Sequence, residues 1–294
     1  MEEAGLAVER DAWGNLLGRL AGSDPTAPEL WTGSHLDTVP DGGRYDGALG
    51  VVAGLEAVHR LQAPISTVAV VAFRDEEGSA YAPGCLGSRA RCGLVGHGDL
   101  DALGLPPSTA GTDLPAVFVE VHIEQGPVLE RAGVPLGTVA SIAGQARGQV
   151  EFSGAPRHAG TTPMDARDDA LCSAAEFVLQ VRDAATGIEG AVATVGNVVV
   201  EPGAANVVPG RVTLTVDARA PDRARLDALL EAIGAELAVT SPVAMDSEVT
   251  RVLGEEIERL GLPVLKLASG AGHDAGILAA SGVRAGMLFV RSVG

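Results

Sequence analysis

The stretch from residue 33 to residue 47, Gly33-Ser-His-Leu-Asp-Thr-Val-Pro-Asp-Gly-Gly-Arg-Tyr-Asp-Gly47, decides how the rest of the chain is interpreted. It offers an imidazole, His35, a carboxylate two residues later, Asp37, and another carboxylate, Asp46, inside a glycine-rich loop. Imidazole and carboxylate groups are ligands of hydrolytic metals of the zinc class, and a carboxylate beside a ligating histidine commonly orients its ring. The stretch therefore predicts part of a metal site. The alternative is an Asp- and Gly-rich turn with an incidental histidine.

The residues around this loop predict its place in the fold. Residues 29–31 can close a strand, and residues 47–61 carry an apolar stripe with helical spacing. Ligands of α/β folds bind between a strand end and a helix start. Two β-branched apolar runs, Ser66–Phe73 and Ala116–Ile123, predict buried strands. We expect an α/β layer with a mostly parallel sheet up to about residue 142, with a Gly- and Pro-rich connection at 78–115 that carries one short helix.

The pattern changes near Gly144. The predicted strands there are 149–153, 191–200 and 211–218, and the predicted helices are 168–185 and 222–237. Residues 211–218 alternate apolar and polar side chains, as a sheet with one face in water does. Because α/β character returns with a helix at 245–260, we predict a discontinuous catalytic domain, 1–142 plus 246–294, interrupted by an α+β domain at 143–245.

Composition narrows the class of protein. The chain has 294 residues, 46% of them hydrophobic, which is enough for the core of one or two domains. A formal net charge of −17 argues against nucleic-acid and anionic membrane partners. The three cysteines form no CxxC pair, which favours a cytoplasmic location over a disulfide framework. The sequence has neither an apolar run of about 18 residues nor a signal-peptide pattern.

Two more polar clusters follow predicted strands. Residues 75–78, Asp-Glu-Glu-Gly, come directly after the strand that ends at Phe73. One of the adjacent carboxylates Glu76 and Glu77 can bind a metal while the other takes a proton from a water, as metal-assisted hydrolysis requires. His122 and Glu124 share a face at the end of the next strand, by the strand period of two. If the strands are neighbours, the clusters meet at one rim, which favours a metal site over solvated acidic turns.

Six motifs, in order along the chain, carry a family resemblance: GSHLDTVPDGGRYDGALGV, DEEGSAYAPGCLGSRA, HIEQGPVLE, HAGTTPMDARDDAL, GAANVVPG and SGAGHDA. The chain resembles the hydantoinase/carbamoylase branch of the M20 dinuclear metallohydrolases, which includes N-carbamoyl-L-amino-acid hydrolases and allantoate amidohydrolases. The motifs span almost the whole sequence. The resemblance implies an M20-like catalytic domain with a mostly parallel sheet, and a lid and dimerisation domain at 143–245 of a homodimer.

The resemblance also implies site roles. The implied metal ligands are His35, Asp46, Glu77 and His122. Asp46 would bridge two divalent ions (Zn, Mn, Co or Ni), Glu76 would be the general base and Asp37 would orient His35. The implied substrate contacts are Gln125, Asn206, Arg219 and Gly272. Arg219 suits a carboxylate because a guanidinium binds it bidentately. His158 would stabilise an oxyanion, in this family in the neighbouring subunit's site.

The expected activity is hydrolysis of the ureido C–N bond of an N-carbamoyl-L-amino acid, giving the amino acid, CO₂ and ammonia. Allantoate is the alternative substrate, and a peptidase is less favoured because peptidase branches usually carry an acidic ligand in place of His122. The family continues past the equivalent of Gly294 into a Gly-x-Ser-His segment whose histidine binds the Glu77 metal. We therefore expect a chain truncated at both ends with one metal bound tightly, and a non-catalytic member as the alternative to an enzyme.

Overall fold

The computed structural model describes residues 1–107 and 113–293. Residues 108–112, within the connection predicted for 78–115, and Gly294, beyond which the family was expected to continue, lie outside the described residues. The chain forms two compact units, Met1–Ile142 with Ala244–Gly294, and Ala143–Val243. Within 1–107 and 113–293, none of the helices combines the length and apolar character needed to cross a membrane.

The strands are, in chain order, β1 (Ala7–Arg10), β2 (Leu16–Leu20), β3 (Leu30–His35), β4 (Val68–Phe73), β5 (Val117–Ile123), β6 (Leu136–Ile142), β7 (Gly144–Ser153), β8 (Val192–Glu201), β9 (Arg211–Ala220), β10 (Ala238–Thr240), β11 (Val243–Ala244), β12 (Lys266–Ser269) and β13 (Arg284–Val290). The helices are α1 (Ala48–Arg60), α2 (Leu86–Arg91), α3 (His97–Ala102), α4 (Val128–Ala132), α5 (Ala170–Thr186), α6 (Arg223–Ile233), α7 (Ser247–Arg259) and α8 (Asp274–Ala280). Short 3-10 turns lie at Glu2–Ala4 and Met164–Ala166.

The first unit is built on a mixed sheet with the strand order β1-β2-β4-β3-β5-β13-β6, and β12 also pairs with β6. Its centre, β4-β3-β5-β13, is parallel throughout, whereas β2 and β6 are antiparallel to their neighbours in this central group. Helix α1 packs on β3, β4 and β5, and α8 packs on β5 and β13. The predicted α/β class with a mostly parallel sheet is confirmed.

The central strands form where the sequence predicted them, because their side chains are buried. Val70, Val71 and Phe118 each have 0% of their surface exposed. Strands β2 and β6 were not predicted, because their apolar runs are broken by Gly18 and by Gly137, Thr138 and Ser141. The single short helix expected in the connection at 78–115 was wrong, since both α2 and α3 lie there.

The second unit is an antiparallel sheet with the order β10-β7-β9-β8. The alternation predicted for 211–218 is confirmed, since Val212, Leu214 and Val216 of β9 are buried. They form one apolar cluster with residues of α5 and α6. Each helix begins at an aspartate, Asp169 or Asp222, whose carboxylate accepts backbone N–H groups of the first turn. The lid and dimerisation roles expected for this part of the chain stay predictions.

Gly33 fixes how closely β3 and β4 approach each other. Its φ is 144°, and an added Cβ would lie 1.9 Å from the carbonyl oxygen of Val71. Glycine adopts this backbone conformation readily and other residues do not. His35 lies only two residues after Gly33 on β3. The close approach of β3 to β4 at Gly33 therefore also sets the position of His35.

We expect Gly33→Ala to lower the free energy of unfolding by roughly 3 kcal/mol or more, because the methyl group displaces β4 and strains the backbone. Gly43→Ala is the matched control, since its φ is not in the left-handed region and nothing lies within 4 Å of the added Cβ. Urea denaturation followed by circular dichroism measures both variants. Equal unfolding midpoints for the two variants would contradict the role of Gly33 in the close approach of β3 to β4.

Candidate metal centre

Two buried histidines meet at the carboxyl ends of β3 and β5. The parallel register pairs Gly33 with Glu120, so His35 and His122 lie two residues further along at the same level. Each ring has only 1% of its surface exposed. The ring centroids are 5.5 Å apart, and the two Nε2 atoms are 3.3 Å apart.

The protonation of these rings is set by the main chain. Nδ1 of His35 lies 2.8 Å from the carbonyl oxygen of Asp37, and Nδ1 of His122 lies 2.8 Å from that of Ile123. A carbonyl oxygen only accepts, so each Nδ1 carries the proton and each Nε2 presents a lone pair. Burial lowers the pKa of His122, which favours this neutral form. Two lone pairs that face each other in a buried site are suited to binding a cation between them.

Asp46 completes this set of donors. Its Oδ1 lies 3.3 Å from Nε2 of His122, and ligand atoms of His35, Asp46 and His122 all lie within 4.8 Å of one another. The loop reaches this position because of Gly47, which has a φ of 61° and whose added Cβ would lie 2.4 Å from the His35 ring. Two imidazoles and a carboxylate are a donor set that fits a divalent metal.

Glu76 and Glu77 follow β4, the other neighbour of β3. Oε2 of Glu76 is 3.8 Å from Nε2 of His35. Burial, followed by the charges of Asp274, Glu120 and Glu77, raises the pKa of Glu76 to about 10.

Burial, the neighbouring side chain of Asp46 and the charge of Asp37 raise the pKa of Glu77 to about 7. These shifts arise from burial and from anionic groups crowded together, and a bound divalent cation would relieve both effects.

Asp37 links the loops that follow β3 and β4. Its Oδ2 accepts the backbone N–H of Glu77 at 3.1 Å, while its backbone carbonyl is the group bonded to the His35 ring. Its Oδ1 is 3.9 Å from Nδ1 of His35 and has no hydrogen-bond partner among the described residues. The orienting role expected for the Asp37 carboxylate is thus filled here by its carbonyl group, and the carboxylate holds the glutamate loop instead.

The other predicted residues of the first unit occupy different surroundings. Gln125 has a φ of 54°, and its Nε2 donates to Oδ1 of Asp46 at 2.9 Å. Glu124, expected on the same face as His122, instead accepts the N–H groups of Val128 and Leu129 at the start of α4. Gly272 lies exposed in the loop between β12 and α8, with nothing within 4 Å of an added Cβ.

Sequence reasoning missed Glu120, which belongs to a buried polar layer next to the histidines, whereas His273 lies in the SGAGHDA motif that carried part of the family resemblance. Glu120, two residues before His122, accepts hydrogen bonds from Ser34 Oγ at 2.7 Å and from the backbone N–H of Ala275 at 2.8 Å. The His273 ring packs edge-on against His122, with centroids 4.6 Å apart. The signal was present in the sequence, because a glutamate inside the β-branched run at 116–123 is costly unless it is bonded.

In the second unit, the loops of His158 and Asn206 are tied together. A β-bridge joins His158 to Val207, and the N–H of Ala159 donates to the carbonyl oxygen of Asn206 at 2.8 Å. Nδ1 of the exposed His158 ring accepts the N–H of Gly160 at 3.1 Å. The proton of the neutral ring is therefore on Nε2, where it can be donated to an oxygen.

Arg219 lies on β9 beside Asp217. Its Nε donates to Oδ1 of Asp217 at 3.0 Å and its Nη2 donates to Oδ2 at 2.9 Å. Arg147 bonds the same carboxylate at 2.8 Å. Two guanidinium groups share the one carboxylate of Asp217, so these three side chains together keep a net positive charge, which suits an anionic ligand.

Imidazole and carboxylate donors that converge at the ends of parallel strands, with a buried glutamate beside them, define a metal-dependent hydrolase. The profile of the family described as "Peptidase family M20/M25/M40" matches residues 31–294. The chain belongs to this family.

Comparison with individual proteins shows which members of the family this chain resembles. The chain is 37% identical to an N-carbamoyl-L-amino-acid amidohydrolase of Paenarthrobacter aurescens, over 99% of this chain and 81% of that protein. It is 35% identical to a probable allantoate deiminase of Oryza sativa subsp. japonica, over 100% of this chain and 74% of that protein. A solved hydantoinase/carbamoylase family amidase from Burkholderia ambifaria has a TM-score of 0.89 and 33% identity, over 99% of this chain and 80% of that chain.

We expect His122→Ala to weaken binding of Zn²⁺ or Mn²⁺ by roughly 100-fold or more, because it removes a lone pair from a buried donor set. His97→Ala is the control, since His97 lies on α3 outside both groups of converging donors found among the described residues. Isothermal titration of chelator-treated protein measures both affinities. An unchanged metal affinity in His122→Ala would contradict the assignment of His122 as a metal ligand.

Proposed function

We propose that this protein is an amidohydrolase that cleaves the ureido C–N bond of N-carbamoyl-L-amino acids, releasing the amino acid, CO₂ and ammonia. The observation that carries the proposal is the largely buried Glu76 carboxylate, 3.8 Å from Nε2 of His35, whose ring belongs to the donor cluster. The similarity to N-carbamoyl-L-amino-acid amidohydrolases supports this substrate class.

The residues of the first unit would hold two divalent ions of Zn, Mn, Co or Ni. His35, Asp46 and His122 would bind one ion, and Asp46 with Glu77 would bind the other. Bound there, the ions would lower the pKa of water and polarise the ureido carbonyl. Asp37 would keep Glu77 in place through the bond to its backbone N–H.

Glu76 would be the general base. The positive charge of the divalent ions would favour the ionised form of Glu76. That carboxylate can take a proton from the attacking water and later deliver it to the leaving nitrogen. The proximity of Oε2 to His35 supports this role. Gln125, whose amide already reaches the metal-binding carboxylate Asp46, would contact the ureido group, and Gly272 would leave room for substrate.

The second unit would recognise the carboxylate and the developing oxyanion. Arg219 would bind the substrate carboxylate, with Asp217 holding its guanidinium by two hydrogen bonds. Asn206 would contribute an amide from the adjoining loop. His158 would donate from Nε2 to the oxyanion.

Allantoate is the second candidate substrate. The similarity to allantoate deiminases extends over all of this chain. Both compounds carry a ureido group and a carboxylate, so the proposed contacts of Arg219 and Gln125 apply to each. Assays with both substrates distinguish the two activities.

The test is ammonia release from N-carbamoyl-L-amino acids and from allantoate, after addition of Mn²⁺, Co²⁺ or Zn²⁺. We expect turnover by the wild type and a fall in kcat of about 100-fold or more in Glu76→Gln, because the amide cannot accept the proton. Glu231→Gln, an exposed change on α6, is the control. Turnover of neither substrate by the metal-loaded wild type would contradict the proposal and favour a non-catalytic, ligand-binding family member.

We also propose a cytoplasmic homodimer formed through 143–245. The three free cysteines support the location. The edge strand β8 supports the dimer, because it ends the order β10-β7-β9-β8 and exposes 46% of Val198 and 48% of Val199. A long edge strand with exposed apolar side chains is a template for pairing with another chain.

We expect the double substitution of Val198 and Val199 by Lys to shift the protein to a monomer, because the added charges oppose pairing along β8. Val239→Lys is the matched control, on the opposite edge strand β10 of the same sheet with 43% of its surface exposed. Light scattering after size exclusion gives the mass of each variant. A dimeric double variant would exclude β8 as the interface.

A further inference from the structure

Cys85 lies at the turn between the glutamate loop and α2. It is the residue before the helix, with a φ of 52°, and its side chain is buried. The backbone N–H groups of Cys85, Leu86 and Gly87 donate to the carbonyl oxygens of Glu76, Asp75 and Arg74, respectively. These three hydrogen bonds hold the start of α2 against the segment that carries Glu76.

Gly84 and Cys85 make close contacts with Glu76 in particular. The N–H of Cys85 donates to the Glu76 carbonyl oxygen at 2.8 Å. An added Cβ on Gly84 would lie 2.6 Å from that same oxygen, and its φ is 73°, so glycine permits the approach. The Sγ of Cys85 is 3.6 Å from Oε1 of Glu76, within the range of an S–H···O bond.

The two carboxylate oxygens of Glu76 therefore have different surroundings. Oε1 faces the thiol of Cys85, and Oε2 faces Nε2 of His35 at 3.8 Å. A glutamate side chain has three rotatable bonds, and holding one oxygen fixes where the other points. We propose that Cys85 is a positioning residue for Glu76, whose thiol holds Oε1 so that Oε2 faces the histidine pair. This inference rests on the proposed role of Glu76 as the general base.

The thiol is suited to donating and not to nucleophilic attack. Burial, followed by the charges of Asp274 and Glu76, raises the pKa of Cys85 well above its ordinary value. A thiol that keeps its proton is a hydrogen-bond donor and is chemically inert. Cys85 therefore acts on the orientation of the carboxylate and takes no part in bond making.

The kinetic test compares Cys85→Ala with Cys85→Ser in the metal-loaded chain. We expect kcat of Cys85→Ala to fall about 10-fold, the effect of one hydrogen bond to a charged group, with KM and bound metal unchanged. Cys85→Ser restores much of kcat because its hydroxyl also donates. Cys92→Ala is the control, since Cys92 is similarly buried but lies at the opposite end of α2 from Cys85. A kcat of Cys85→Ala equal to that of the wild type, or an equal loss in Cys92→Ala, overturns the proposal.

The spectroscopic test needs no turnover. In the metal-loaded chain carrying Cys92→Ala and Cys172→Ala, Cys85 is the remaining thiol, and its S–H stretching band falls where other protein groups do not absorb. We expect Glu76→Gln to move this band to higher wavenumber, because a neutral amide is a weaker acceptor than a carboxylate. An unmoved band overturns the contact. A moved band in a wild type that hydrolyses no ureido substrate leaves the contact standing and removes the proposed function instead.

Discussion

The parallel pairing of β3 with both β4 and β5 is the constraint on which the centre depends. Parallel strands end at the same edge of a sheet, so residues that follow them are brought together without long-range side-chain contacts. The register with β5 aligns His35 with His122, and the register with β4 aligns His35 with Phe73, three residues before Glu76. A slip of one residue in either register would turn the ligands to the other face.

The electrostatics of the first unit follow from this convergence. Burial raises the pKa values of Glu76, Glu120 and Asp274; the charges of Asp274 and Glu120 raise that of Glu76 further, and the charge of Glu120 raises that of Asp274. Buried carboxylates without a cation are strongly disfavoured as charged groups. Hydrogen bonds from Ser34, Ser88 and the Ala275 N–H offset part of that cost. Divalent cations in the proposed positions would offset more of it, so metal binding and the stability of this part of the fold are expected to be linked.

The sequence allowed the parallel core and its strand-end clusters to be predicted because both depend on local patterns. The β-branched runs that became β4 and β5, and the period-two spacing that leads to His122, are such patterns. The Glu124 side chain shows the limit of this reasoning, since its carboxylate is used by the first turn of α4. The Asp37 carboxylate is a second case, because whether its carbonyl or its carboxylate meets the His35 ring depends on the path of the loop. Contacts between distant segments, such as that of Ala275 with Glu120, have no periodic signal.

The bond from each imidazole Nδ1 to a main-chain carbonyl has a consequence for how this centre can change. A side-chain partner is lost in a single substitution, whereas a carbonyl group is present whatever residue stands at 37 or 123. The orientation of the two rings thus depends on the course of the backbone and not on any one side chain. Transplanting the centre into another scaffold would require copying the loop path, including the turn at Gly47, before any ligand was placed.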